Sequence, residues 1–256
     1  MSYQLGARRE HFRPSPIFAA LVALTLAGGA MAYLGYGNVR FDVFLLVIGG
    51  WLVSLCLHEF AHALTAYRGG DHSVAARGYL TLNPLKYTHV LLSIVLPLLF
   101  VLLGGIGLPG GAVWIDRGAV RGRFRRSLIS AMGPAVNIVF GLALAVPFWS
   151  DPYPQEHQEF WAGLAFLGFL QFTAGLLNLL PIPGLDGYGI IQEYLPNDWR
   201  SALDKAQPWG MLFVFALLWW PPANSVFFGV VHFMTDKVGL PWDFVRGGSG
   251  LIRFWL

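Results

Sequence analysis

Charge is what this 256-residue sequence has least of: Lys, Arg, Asp and Glu make up 12% of it, about half the share in a soluble domain. So few charged side chains cannot cover a water-soluble globule of this length, and a soluble enzyme is excluded. Cysteine is almost missing as well. Cys56 stands alone, which rules out an internal disulfide, and its place inside an apolar run leaves it silent about redox compartment. No repeat, low-complexity tract or long linker divides the chain, so disordered and collagen-like classes are excluded and a single domain over 1–256 is expected. The net charge of +3 does not ask for a nucleic-acid partner. In a chain this apolar it reflects Lys and Arg gathered in loops on one side of a bilayer.

What is present is hydrocarbon. Apolar residues make up 55%, mean hydropathy is +0.56, and the apolar runs fall at 17–36, 43–67, 90–103, 128–149, 160–180 and 209–234. Most approach the ~20 residues that cross a ~30 Å hydrocarbon core as a helix. The pattern predicts an all-α polytopic membrane protein with about six transmembrane segments. An N-terminal anchor is expected near 16–36, with no small-residue cleavage site behind it. A catalytic core follows near 41–195. The last apolar run, near 209–234, is expected to break into two helices at Pro221 and Pro222.

The 14 residues of 90–103 reach only about 21 Å as a helix, a length that more often re-enters than spans. Charge separates the two cases. If the run re-enters, thirteen Lys and Arg collect on one face and Arg40 alone lies on the other. If it spans, the two faces come out nearly equal. The positive-inside rule therefore favours re-entry, with a short β element expected around 104–113, and makes the basic face cytoplasmic.

Ionisable residues inside a membrane segment are costly, and functional by default. The second run carries His58, Glu59 and His62 in the pattern H-E-x-x-H. On a helix, the i, i+4 spacing puts both imidazoles on one face, where they can share one zinc ion, with the neighbouring glutamate angled toward a water. With 7 His in the chain, chance supplies this pattern only about 0.004 times. Arg68 marks the basic end of the run, so the pair lies about 9–15 Å below that surface.

A catalytic zinc keeps three protein ligands, and Asp186 is the expected third. Pro181 and Pro183 stop the preceding helix, and Gly184 and Gly187 allow a tight turn that folds this carboxylate back into the bundle. Glu193, Asp198 and Asp204 lie in a polar stretch and are weaker candidates. Asn137 and Asn178 also sit in apolar runs. On residue chemistry alone they bridge helices by hydrogen bonds; the other reading has them donate to a substrate backbone or a developing oxyanion. A metal transporter or a non-catalytic metal-binding scaffold is the alternative class. It fits less well, because the intramembrane charges cluster at one depth instead of lining a path.

Taken in order, His58 to His62, Gly133-Pro134-Ala135-Val136-Asn137, and Asn178-Leu179-Leu180-Pro181-Ile182-Pro183-Gly184-Leu185-Asp186-Gly187 resemble the site-2 protease family of intramembrane zinc metalloproteases. The resemblance covers roughly 41–195 and points to the compact branch, without a PDZ or CBS module. It implies hydrolysis of peptide bonds within or beside a transmembrane helix of a membrane protein substrate. Glu59 would be the catalytic residue, His58, His62 and Asp186 would be the ligands of one Zn2+, and Asn137 and Asn178 would position the substrate.

Overall fold

The computed structural model describes residues 12–87, 113–150 and 156–255. Among these residues the chain is helical, without a strand, as expected of backbone that must satisfy its own hydrogen bonds in hydrocarbon. The elements in order are α1 (Pro16–Leu34), α2 (Val39–Gly69), α3 (Ser73–Ala76), α4 (Arg123–Ala145), α5 (Gln158–Asn178), α6 (Asp186–Ile191), α7 (Asn197–Ala206), α8 (Gly210–Trp219), α9 (Pro221–Lys237) and α10 (Trp242–Leu251). Helices α1, α2, α4 (continuing to Trp149) and α5 are long and apolar enough to cross a membrane, and the bent pair α7–α8 and α9 adds at most a fifth crossing. The chain is an all-α polytopic membrane protein.

Helices α2, α4 and α5 form the centre. At 31 residues, α2 is about 46 Å long, so its polar end stands clear of a ~30 Å core. Asn38 caps its start by accepting from the N–H groups of Arg40 and Phe41, and Gly70, with φ +119°, ends it in a left-handed turn. Small residues let α1 lie close against α2. A Cβ on Gly28 would come within 2.8 Å of the Leu46 backbone nitrogen and 2.9 Å of the Asp42 carbonyl oxygen, the close approach that drives helix association in lipid. The remainder of α1 faces outward; only Gly28, Gly29 and Ala32 are buried. By contrast α5 is enclosed on most of its surface, with α10 closing over it through Gly248, which fits under Phe166.

Two expectations about the chain path meet the structure differently. Trp220 is extended between α8 and α9, and the helices on either side are bent by 91°, the break assigned to Pro221 and Pro222. The run at 90–103, and the β element around it, lie outside the described residues except for Val113. Their flanks, however, are together: the Asp116 N–H donates to Asp71 Oδ2 at 2.8 Å, and Gly69 packs on Val120. The chain thus leaves α2 and enters α4 at the same face of the bundle.

Candidate metal centre

About two to three helical turns below that face, α2 presents its polar residues. His58, Glu59 and His62 are all buried. Each imidazole is tied at its Nδ1. The Nδ1 of His62 lies 2.7 Å from the Ile129 carbonyl oxygen, which can only accept, so it carries a proton and leaves Nε2 as a bare lone pair. The Nδ1 of His58 lies 2.6 Å from Asn137 Oδ1, giving the same tautomer. The two Nε2 atoms are 3.0 Å apart. Asp186 closes the triangle, with Oδ2 at 3.2 Å from His58 Nε2 and Oδ1 at 3.3 Å from His62 Nε2.

Three acceptors facing one another at this range repel unless a cation lies among them. Their spacing suits one: tetrahedral zinc with bonds of about 2.0–2.1 Å to nitrogen sets its ligand atoms about 3.3 Å apart. Gly133 makes the same point from α4. A Cβ there would come to 2.5 Å of His58 Nε2 and closer still to His62 Nε2, filling the space on which both rings converge. His58, His62 and Asp186 can hold one metal ion. Imidazoles anchored through their second nitrogen are what metal sites use to fix ring orientation.

Asp186 reaches this place because the chain reverses sharply after α5. Gly184 adopts φ +96°, and a Cβ on Gly187 would run into the carbonyl oxygens of Leu179 and Leu180. Tyr188, next in α6, is buried, and its hydroxyl donates to Asp204 Oδ1 at 2.6 Å, pinning the turn to α7. Burial and this carboxylate push the Tyr188 phenol up to about 12. With its side chain about 20% exposed, Asp186 is the most accessible of the three, the imidazoles being under 10%. The centre therefore opens on the Asp186 side.

Glu59 lies beside the triangle, with Oε1 4.0 Å from His58 Nε2. Its Oε2 accepts from the backbone N–H of Val113 at 3.1 Å. The two asparagines divide. Asn137 is at the centre but is fully engaged there: Oδ1 faces His58, and Nδ2 donates to Ser54 Oγ at 3.1 Å and Gln171 Oε1 at 2.9 Å. Its contacts are the helix-bridging ones, made to a ring at the metal site. Asn178 is buried at the end of α5 and hydrogen-bonds none of His58, Glu59, His62 or Asp186.

Sequence reasoning overlooked Ser54, Gln171, the Ile129 carbonyl and the Val113 amide. A buried amide in mid-helix such as Gln171 is a rare enough feature in lipid to have flagged one of them. Glu193, a weaker ligand candidate, holds a different place. Its side chain, only 1% exposed, bonds Arg126 Nε at 2.7 Å and Arg117 Nη1 at 3.2 Å, while Arg117 also reaches Ser130 Oγ at 2.9 Å. This cluster ties α4, the strap leading into it and the turn after α6. Removing Glu193 leaves Arg117 and Arg126, each partly exposed, without their shared partner. Glu193→Ala should lower the unfolding free energy in detergent by about 1–3 kcal/mol, read from denaturant titration of the purified protein.

A membrane bundle that converges two imidazoles of an H-E-x-x-H helix and a distant carboxylate, with a buried glutamate beside them, defines a metalloprotease-type centre. Comparison with known proteins agrees. The chain is 51% identical to Rip2 of Mycolicibacterium smegmatis over 254 aligned positions covering 96% of each protein. It is 49% identical to Rip2 of Mycobacterium tuberculosis, over 97% of this chain and 96% of that protein. It is 32% identical to YwhC of Bacillus subtilis over 180 positions, 68% of this chain and 80% of that one. All three carry names that make them candidate zinc metalloproteases. The chain belongs to this zinc metalloprotease family. No family profile matches it, and neither does any solved structure.

Proposed function

We propose that this protein is an intramembrane zinc metalloendopeptidase of the site-2 protease kind, hydrolysing peptide bonds within or beside the transmembrane helices of membrane protein substrates. The observation that carries this reading is the convergence of His58 Nε2, His62 Nε2 and the Asp186 carboxylate, all within 4.8 Å of one another, inside an apolar helical bundle. His58, His62 and Asp186 would hold one zinc ion, which when bound supplies Lewis acidity toward a water and toward the scissile carbonyl.

The chain's own groups do the rest. Glu59 takes the proton of the attacking water on a carboxylate oxygen and delivers it to the leaving amide nitrogen. A substrate helix has its backbone N–H and C=O groups engaged with one another, so it must unwind locally before it can present a bond here. The resemblance implies a substrate-positioning role for Asn178, buried at the end of α5, whereas the Asn137 amide is engaged with His58, Ser54 and Gln171. The concentration of Arg and Lys at the face where α2 ends supports a centre toward the cytoplasmic leaflet of a bacterial inner membrane.

The test is metal analysis of the purified full-length protein beside His58→Ala and Asp186→Ala, with cleavage of a model transmembrane substrate in proteoliposomes. The wild type is expected to carry about one zinc per chain and to cleave; both variants are expected to lose both properties. Stoichiometric zinc in Asp186→Ala would remove that residue from the ligand set, and zinc binding without any cleavage would overturn the peptidase reading.

A further inference from the structure

Gln171 lies in the middle of α5, with none of its surface exposed. The reading above gives it no task. Its carbonyl end is used twice: Oε1 accepts from Asn137 Nδ2 at 2.9 Å and from the Ser54 hydroxyl. Its amino end is not used at all, for Nε2 is buried without a hydrogen-bond partner. A buried amide with a doubly occupied acceptor and an idle donor is held there for its acceptor, because an unpaired buried N–H is otherwise selected against.

The consequence runs through Asn137 to His58. With Nδ2 drawn toward Gln171 Oε1 and Ser54 Oγ, Asn137 must turn Oδ1 toward His58 Nδ1, 2.6 Å away. Nδ1 then carries the proton, and Nε2 offers its lone pair toward His62 and Asp186. If the Asn137 amide were reversed, its NH2 would face Nδ1. The imidazole would then favour the other tautomer, with a proton on Nε2 pointing into the space where the three ligand atoms meet. Three helices take part: Ser54 and His58 on α2, Asn137 on α4 and Gln171 on α5.

We propose that Gln171 is a positioning residue for the metal centre, fixing the orientation of the Asn137 amide and thereby the His58 tautomer that can bind a cation. This rests on the metal reading of His58, His62 and Asp186. Gln171 touches neither substrate nor metal, and acts through Asn137 alone.

The experiment measures zinc dissociation constants by chelator competition on the full-length protein in detergent. It compares wild type, Gln171→Leu and Gln171→Glu, and repeats the leucine substitution in an Asn137→Ala background. Q171L should bind zinc about tenfold more weakly, the lower end of what outer hydrogen-bond partners of metal ligands contribute. Q171E keeps the acceptor and should stay within about threefold of wild type. With Asn137 already replaced, Q171L should weaken binding by less than about twofold, because coupled residues are not additive. If Q171L does not fold, Gln171→Met, equally without a polar end, carries the same expectations. Wild-type affinity in Q171L would overturn the assignment. So would an undiminished tenfold loss in the Asn137→Ala background, or a loss in Q171E as large as in Q171L. A wild-type protein that bound no zinc would instead bring down the metal reading itself.

Discussion

Gly133→Ala is expected to strip the protein of stoichiometric zinc while leaving the helical bundle folded. The methyl group would be directed into the centre, 2.5 Å from His58 Nε2 and nearer to His62 Nε2, well inside van der Waals contact. The rings cannot retreat, because His62 Nδ1 is held by Ile129 and His58 Nδ1 by Asn137. Nor can the backbone of α4 withdraw easily, since Gly175 of α5 packs behind it against Asn137 and Ile138. An extra methyl in a packed interior costs about 1–3 kcal/mol, which a bundle of this size tolerates, so the helical circular dichroism should match the wild type. Zinc content is expected below about a tenth of an ion per chain, on the expectation of one ion per tetrahedral site. A Gly133→Ala protein with a full complement of metal would show that the converging nitrogens are not where the ion lies.

Glu59→Gln separates chemistry from binding. Glutamine has the same shape, and its carbonyl oxygen can still accept from Val113, so the surroundings of α2 should not change. What it loses is the capacity to take a proton. Peptidase turnover should therefore fall by about 10²–10⁴-fold, the range contributed by a positioned general acid–base, with zinc content unchanged. Cleavage of a transmembrane substrate in proteoliposomes, normalised to bound metal, reads the effect. Full turnover by the metal-loaded variant would take Glu59 out of the mechanism.

The parts of the centre that were legible in the sequence are those fixed by local geometry. The i, i+4 spacing of His58 and His62 determines that they share a helix face, whatever packs against it. Asp186 could be read because the Pro and Gly residues around it force a reversal. The dipeptide Pro221-Pro222 marks a break for the same local reason. What was not legible depends on how helices rotate about one another. Nothing in the spacing of Ser54, Asn137 and Gln171 says that α2, α4 and α5 turn these three side chains toward one point. Gly133 was visible as part of a motif, but its bearing on the site depends on which way its missing side chain would have pointed. Glu193 sits among polar neighbours that suggest a solvated loop. The structure buries it because the turn after α6 folds onto α4, where Arg117 and Arg126 meet it.

The wide separation of the ligands along the chain has a consequence for how such a molecule is made. Ribosomes deliver residues in order, and the histidine pair enters the bilayer more than a hundred residues before the aspartate exists. Until α5 has been inserted and the reversal behind it has closed, a nascent chain holds two imidazoles and an idle glutamate without their third companion. A half-built copy thus has no complete ligand set, which closes only when the turn at Asp186 is made, with α7 to α10 still to follow.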